Sequence, residues 1–446
     1  MAQATLRRYL LRITLGLFLL TIIIFALTQT LPNLRYLTSY KHGVVGAYTV
    51  QNLPASVMDV ASRGLTYVDS SQEARGDLAE NWLVEEDGKK FTFKLRNNLY
   101  WQDGTKLKSS DLVYKFTDIS TEMPDDHTII FHLKNPISSF PAVVSRPVFK
   151  NRTFVGNGPY KVTHIEEASG FVKSITFTPT NTSLRRIVVN FYPTQARLTQ
   201  ALKIGEVSGA TLEDSSGFAN WPNLKTEKKI DSSRFLAIYY NTKDNFLSAK
   251  EARQALSYGI NYESFPGQRA TSPIPPASWA FNSGVKKYNF DPEKSKALLK
   301  ALEYSGSRKV ILSTLPGHEE IARKIVEGWK QIGIDAEVVV EKTPPTNFQA
   351  FLALQETPND PDQYTLWHST QRGALIGLKD ARIDKFLEDA RVMFKQDDRK
   401  TKYLDFQRVL AEDLPVVFIS WPNADLVYNK TRTPDVEQLK KLNVSF

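Results

Sequence analysis

The chain has 446 residues, of which 41% are hydrophobic and 24% charged, with 22 Gly, 23 Pro and no Cys. That mix excludes a disordered chain, a collagen-like repeat and a polytopic membrane protein, and the length predicts two or three domains with sizeable cores. Without cysteine there is no disulfide framework, thiolate zinc site, catalytic thiol or acylated lipoprotein cysteine. Lys and Arg number 57 against 48 Asp and Glu, a net charge of +9. Residues 1–42 hold Arg7, Arg8, Arg12, Arg35 and Lys41 and no acid, so the remainder is nearly balanced. Its basic runs are pairs such as Lys89–Lys90, Arg185–Arg186 and Lys228–Lys229, and nucleic acid is not an expected partner.

Residues 13–27 form an uncharged apolar run behind Arg7, Arg8 and Arg12. Extended to Leu31, the run is long enough to cross a bilayer's hydrocarbon core, and Pro32 ends it. Its basic flank stays cytoplasmic, which sends the rest of the chain outside. A cleaved signal peptide and an uncleaved signal-anchor both fit. Ala26-Leu27-Thr28 is a poor match to an A-x-A cleavage pattern, which favours reading residues 1–32 as a single-pass anchor. Residues 33–42 read as a short tether.

Strands and helices then mix along the whole length. Phe91–Leu95, His127–Lys134, Ile175–Phe177 and Arg186–Tyr192 alternate like half-buried strands. Ser109-Ser110-Asp111 predicts a helix cap for a run through Phe116, and Ser248 opens a helical run over Ala249–Ile260. Asp291-Pro292 reads as an N-cap followed by proline at the first helical position. Residues 309–341 predict a βαβ unit: strand Val310–Leu312, helix His318–Ile332 stopped by Gly333, strand Ala336–Val340. Helices are expected over Asp384–Met393 and Asp398–Asp413, then the strand Val416–Trp421. The fold class is α/β, with at least two lobes.

Catalytic patterns are missing from the sequence. There is no G-x-S-x-G, P-loop, H-E-x-x-H or G-x-G-x-x-G, and the six histidines are dispersed. His318-Glu319-Glu320 lacks a second His one turn on and reads as acids complementing a helix N-terminus. Pairs such as Glu85-Glu86 and Asp397-Asp398 fall at expected turns and helix starts. No enzyme activity, cofactor or metal is expected. Trp101, Trp279, Trp367 and Trp421 stand beside loop-forming residues and are either packing or the lining of a ligand cleft.

The order of several short motifs carries a resemblance. Asp77-Leu78-Ala79-Glu80-Asn81-Trp82 is followed by Phe91–Arg96, Trp101-Gln102-Asp103-Gly104-Thr105 and Ser110-Asp111-Leu112-Val113-Tyr114. Then come Val155-Gly156-Asn157-Gly158-Pro159-Tyr160, Ala201–Glu206, Tyr240-Asn241, Ala252-Arg253-Gln254-Ala255-Leu256-Ser257-Tyr258, Asp360-Pro361-Asp362 and Glu412-Asp413-Leu414-Pro415. In this order they resemble the family 5 extracytoplasmic solute-binding proteins, the peptide-, dipeptide- and nickel-binding receptors of ABC importers. The resemblance implies a two-lobed, periplasmic-binding-protein type II fold. Lobe I would span residues 43–240 with a reduced inserted subdomain, plus 423–446 returning; lobe II would span 241–422.

It further implies a monomer, outside the cell or in the periplasm, that captures a short peptide or other small solute by hinge closure and delivers it to a permease and ATPase. A membrane-tethered sensor or interaction module on the same fold is the alternative. Expected ligand-binding residues are Tyr48, Tyr240, Asn241, Trp279, Asp360, Tyr364, Trp367 and His368. Peptide-binding members hold the ligand's amino group with an Asp just before the D-P-D segment. The equivalent here looks like Thr357, with Glu356 or Asp360 as possible substitutes.

Overall fold

The computed structural model describes residues 39–371, 379–442 and 444, with isolated positions 16, 20 and 21. The expected anchor over residues 1–32 lies outside the described residues but for those three positions, and among the described residues no helix is long and apolar enough to cross a membrane.

Two mixed sheets organise the chain. The first has seven strands in the order Leu224–Glu227, Asp425–Asn429, Gly209–Leu212, Ser39–Val45, Arg186–Tyr192, Phe171–Pro179 and Tyr160–Ala168. The second has six, in the order Gln268–Arg269, Val416–Trp421, Arg234–Tyr240, Ala350–Glu356, Lys309–Thr314 and Asp335–Val340. A separate four-stranded sheet, Ala79–Glu85, Lys90–Leu95, Thr128–Leu133 and Ile119–Asp125, forms a subdomain inserted in the first lobe. Its core stacks Phe91, Phe93, Phe131 and Phe140.

The βαβ unit forms as expected: Lys309–Thr314 and Asp335–Val340 pair in parallel around the helix Glu319–Gln331. Gly333 follows that helix at φ 89°, a left-handed turn open to glycine, and reverses the chain. Asp291 caps its helix through Lys294 N at 2.9 Å, with Pro292 in the first turn. Helices cover both faces of the six-stranded sheet. Lys250–Tyr258 and Glu319–Gln331 pack on one face, Ala381–Val392 and Gln396–Asp413 on the other. A strand at the centre of such a sheet is buried on both sides and reads as a continuous apolar run. Phe235-Leu236-Ala237-Ile238-Tyr239-Tyr240 is that run.

Three expectations are corrected. Strand Arg234–Tyr240, assigned to lobe I by sequence, pairs with Ala350–Glu356 and Val416–Trp421 at the centre of the second sheet. The chain therefore leaves the first lobe near residues 228–233, not at 240. The tether 33–42 is also too long: Ser39–Val45 is a central strand of the first sheet, bonded to Arg186–Tyr192 on one side and Gly209–Leu212 on the other. Its alternation is disguised because one inward position is a histidine. Finally, Ser109–Asp111 makes a single turn and Leu112 is already extended. The Leu-Val-Tyr-Lys-Phe run favours an extended chain, and Tyr114 stacks on Phe116 at 5.8 Å beside Phe131.

His42 is 1% exposed, with Tyr40 Oη and Thr211 Oγ1 at 3.2 Å from its ring nitrogens. Burial, aided by the charge of Lys229, lowers its pKa from 6.5 to about 3. The folded state keeps the ring neutral while the unfolded chain takes up a proton below about pH 6.5. Above that pH His42 leaves stability unchanged; between about pH 6.5 and 5 it removes about 2 kcal/mol. His42→Gln is expected to shrink the loss of urea stability between pH 7 and pH 5 by about that amount. An unchanged pH slope contradicts the assignment.

Candidate functional site

The subdomain of the first lobe meets the second lobe through two sets of polar contacts. In the first, Trp279 donates its backbone N–H to Ser71 O at 3.0 Å and its indole Nε1–H to Gln72 O at 3.1 Å. Gln72 Nε2 returns a bond to Pro358 O at 3.0 Å. Trp279 is held in place by a loop carrying Pro273, Pro275 and Pro276, whose fixed φ angles stiffen it, and by the packing of Ile274 and Ala280 on Tyr403. In the second set, Ser138 N donates to Arg391 O at 2.8 Å and Ser138 Oγ to Ala390 O at 3.1 Å. Asp362 Oδ2 accepts from Ser139 Oγ at 2.9 Å and from Arg391 Nε at 3.1 Å.

Both sets border a cavity of about 210 Å³ shared by the two lobes. The first lobe supplies Gln72, Glu73, Trp82, Phe91, Ser138 and Pro141; the second supplies Trp279, Asp360, Phe394, Gln396 and Arg399. Trp82, Phe91, Trp279 and Phe394 give the wall aromatic surface, interleaved with polar groups from both lobes, a mixture that suits an organic ligand. The wall's buried charges form a pair. Arg399 Nη2 donates to Asp360 Oδ1 and, at 3.1 Å, to Tyr403 Oη. The guanidinium lies 5.2 Å from the centre of the Trp279 ring. Burial raises the Asp360 pKa, while Arg399 and the Asp362 N–H oppose that push.

Of the residues expected from sequence, Trp279 and Asp360 border this cavity. Tyr48 is half-buried beyond the strand Ser39–Val45, with its ring 5.2 Å from Phe191. Burial raises its hydroxyl pKa, and Arg234 and Glu356 of the second lobe act on it electrostatically, so Tyr48 faces that lobe.

The others fall elsewhere. Tyr240 is fully buried in the second lobe, 6.4 Å from Trp329, because its strand is covered on both faces. Asn241 forms the following turn, its Oδ1 accepting from Lys243 N at 3.0 Å. Trp367 lies inside the second lobe with Nε1 on Gln363 Oε1 at 3.1 Å. His368 is 3% exposed and its ring meets Glu388 at 3.1 Å and Thr370 at 2.8 Å. Tyr364 is sandwiched between His368, at 4.1 Å, and the Arg391 guanidinium, at 4.2 Å, behind the second contact. Trp101 and Trp421 are core residues as well. Sequence reasoning missed Gln72, Trp82, Phe394 and Arg399. Only Arg399 left a signal, one helical turn before Tyr403. Among the described residues no three His, Asp or Glu side chains gather where a metal ion could be held.

Two α/β lobes, linked by crossing strands and closed over a shared cavity, define the class of hinged binding proteins that enclose a guest between domains. The family model for bacterial extracellular solute-binding proteins, family 5 Middle, matches residues 73–373, and the chain belongs to this family. It is 22% identical to the probable D,D-dipeptide-binding periplasmic protein DdpA of Escherichia coli, over 84% of this chain and 85% of that protein. The oligopeptide-binding protein AppA of Bacillus subtilis is also 22% identical, over 84% of this chain and 83% of its own. Among solved structures, NikZ from Campylobacter jejuni in complex with Ni(L-His) superposes with a TM-score of 0.72 at 22% identity, covering 88% of this chain and 94% of that one. DppA from Helicobacter pylori in complex with the peptide STSA gives 0.69 at 21% identity, with the same coverage. The likeness shows the two-lobed periplasmic-binding-protein fold.

Removing one partner of a buried ion pair leaves the other charge unmatched, at a cost of about 3–5 kcal/mol. Asp360→Asn is expected to lower the urea-unfolding free energy by about that much without any ligand present. A loss below about 1 kcal/mol would show that the pair contributes little to the fold.

Proposed function

We propose that the chain is the solute-capturing component of an ABC-type importer. It works outside the cytoplasm on a type II periplasmic-binding scaffold and is held at the membrane by residues 1–32. It binds a short peptide or other small organic solute without changing it chemically. The supporting observation is the cavity whose walls, with Trp82 and Phe91 on one side and Trp279 and Phe394 on the other, come from both lobes. A guest touching both walls favours the closed form, and a guest touching one wall leaves the equilibrium where it was. Trp279 is the principal contact in this reading, with Tyr48 as a further contact outside the cavity.

The charged end of a peptide would not be held as in the peptide-binding relatives. Thr357 Oγ1 is committed, donating to Pro273 O at 3.0 Å and accepting from Gln363 Nε2 at 3.2 Å. Asp360 is committed to Arg399. Glu356 is exposed, makes no ion pair among the described residues and acts on Tyr48, so it is the carboxylate suited to an ammonium group.

A thermal-shift screen of the purified chain against di- and tripeptides, sugars and nickel chelates tests this reading. A ligand at 100 times its Kd stabilises the folded state by about 2.7 kcal/mol, which raises Tm by several degrees. One class is expected to do so, and deletion of the gene should abolish uptake of that class by the source cells. A flat Tm across all classes at millimolar concentration contradicts the proposal.

A further inference from the structure

One end of the seven-stranded sheet is basic in every turn. The strand Ser39–Val45 starts there, with Ser39 paired to Arg186. Tyr160 pairs with Pro179, Leu224 with Asn429, and Lys430 N bonds Asn223 O at 2.9 Å. These pairings bring residues 159–163, 178–186, 221–224 and 429–434 to the same end. With residues 39–41, those segments contain Lys41, Lys161, Arg185, Arg186, Lys430 and Arg432 and no Asp or Glu. Asp435, in the helix that follows, pairs with Arg185 at 2.8 Å and Arg432 at 3.7 Å. Lys41, Lys161 and Lys430 are exposed and have no ion-pair partner among the described residues. The same end leaves Trp221 38% exposed, edge-on to Phe218 at 5.6 Å. Lysines around an exposed tryptophan suit a membrane interface, where an amphipathic ring sits at headgroup level.

The length of chain before Ser39 says what this end meets. Pro32 ends the apolar run and Ser39 begins the strand, so their separation is at most about 25 Å. With the run held in a bilayer, this end of the first lobe stays within that reach of the surface. The tether does not seat it, because charges act over only about 8 Å at physiological salt. Unpaired lysines facing anionic headgroups supply the remaining attraction, about fivefold in affinity for each. At the opposite end of the sheet, Glu227 and Asp425 lead into residues 228–233 and 422–424, which cross to the second lobe. Contact at the basic end therefore leaves the second lobe free to swing.

We propose that this end of the first lobe docks on the anionic phospholipid surface of the membrane that holds residues 1–32. Lys41, Lys161 and Lys430 lie against headgroup phosphates, and Trp221 enters the headgroup layer. A plane of phosphates suits charges of one sign spread over several turns. The inference rests on the proposed anchor and adds to it the face that the first lobe turns to the bilayer. Three lysines make the contact reversible, so the lobe can lift off toward a permease within the tether's reach.

The test uses the full chain in lipid nanodiscs, with a nitrobenzoxadiazole fluorophore on Thr182→Cys in the exposed turn; no native cysteine competes for the label. The discs are phosphatidylcholine alone or with about 30% phosphatidylglycerol, with and without a nitroxide on the lipid headgroup. The nitroxide is expected to quench this label several-fold more strongly in the anionic discs. About 1 M salt, where the screening length is about 3 Å, should remove the difference. The same label on Lys385→Cys of the second lobe should stay bright in every disc. Lys161→Glu combined with Lys430→Glu should lower the docked-to-free ratio at least about tenfold, and Trp221→Ser should lower it with the salt dependence kept. Equal quenching in both lipids, or quenching indifferent to salt and to charge reversal, overturns the inference. Quenching that appears only in native membrane vesicles assigns this end to a protein partner and overturns it too. If the chain stays on the discs in high salt while the Thr182→Cys label is silent throughout, the inference fails and the anchor stands. If the chain washes off the discs, both fail.

Discussion

The lobes are joined along one edge by two extended segments that are bonded to each other. Residues 228–233 and 422–424 run antiparallel, with Asp231 N on Pro422 O at 2.8 Å, Ala424 N on Lys229 O at 2.9 Å, and a bridge between Ile230 and Asn423. Their root is fixed in the first lobe by Asp425, a buried carboxylate that accepts from Lys228 Nζ at 2.7 Å and Ser215 Oγ at 2.6 Å. A paired ribbon bends more readily about its own line than it twists or stretches. The freedom it leaves the lobes is a hinge, and every other contact between them has to be made across the open side.

Those contacts suit a reversible closure. Around Trp279, Gln72, Ser138 and Ser139 they are hydrogen bonds, each contributing about 1 kcal/mol net. A handful of such bonds, offset by the ordering of loops, leaves open and closed forms within a few kcal/mol of each other. A bound guest then decides the balance through the surface it shares with both walls. The buried Asp360–Arg399 pair belongs to a different part of the energetics. It lies wholly within the second lobe, so it shapes the cavity without being broken on opening.

Much of the fold was legible because its motifs are fasteners. Arg253, from Ala252–Tyr258, donates to Leu414 O at 2.9 Å and Leu247 O at 2.7 Å, satisfying carbonyls where Leu414 turns left-handed at φ 50° before Pro415. Gln102 joins Ala61 O at 2.9 Å to Gly158 O at 3.0 Å, tying its own motif to the Gly-Asn-Gly-Pro turn. Trp101 Nε1 reaches Asp111 Oδ2 at 3.0 Å, linking two more. Such residues mark the architecture because backbone carbonyls, not ligands, demand them. Helix caps and the period of the βαβ unit were readable for the same local reasons.

The site was harder to read because its parts meet only in space. An aromatic residue beside a loop signals a cleft only if its strand is covered on one face, and the sheet carrying Tyr240 is covered on both. Trp279 and Gln72 are 207 positions apart, and no local pattern announces that one will bond the other. The most direct test of the hinge uses the absence of native cysteine. Spin labels at Lys134→Cys on the subdomain and Lys385→Cys on the second lobe report the interlobe distance by pulsed electron resonance. A hinged clamp predicts a broad or two-population distance distribution that narrows to its short component when a stabilising solute is added. One fixed distance, the same with and without that solute, would contradict it.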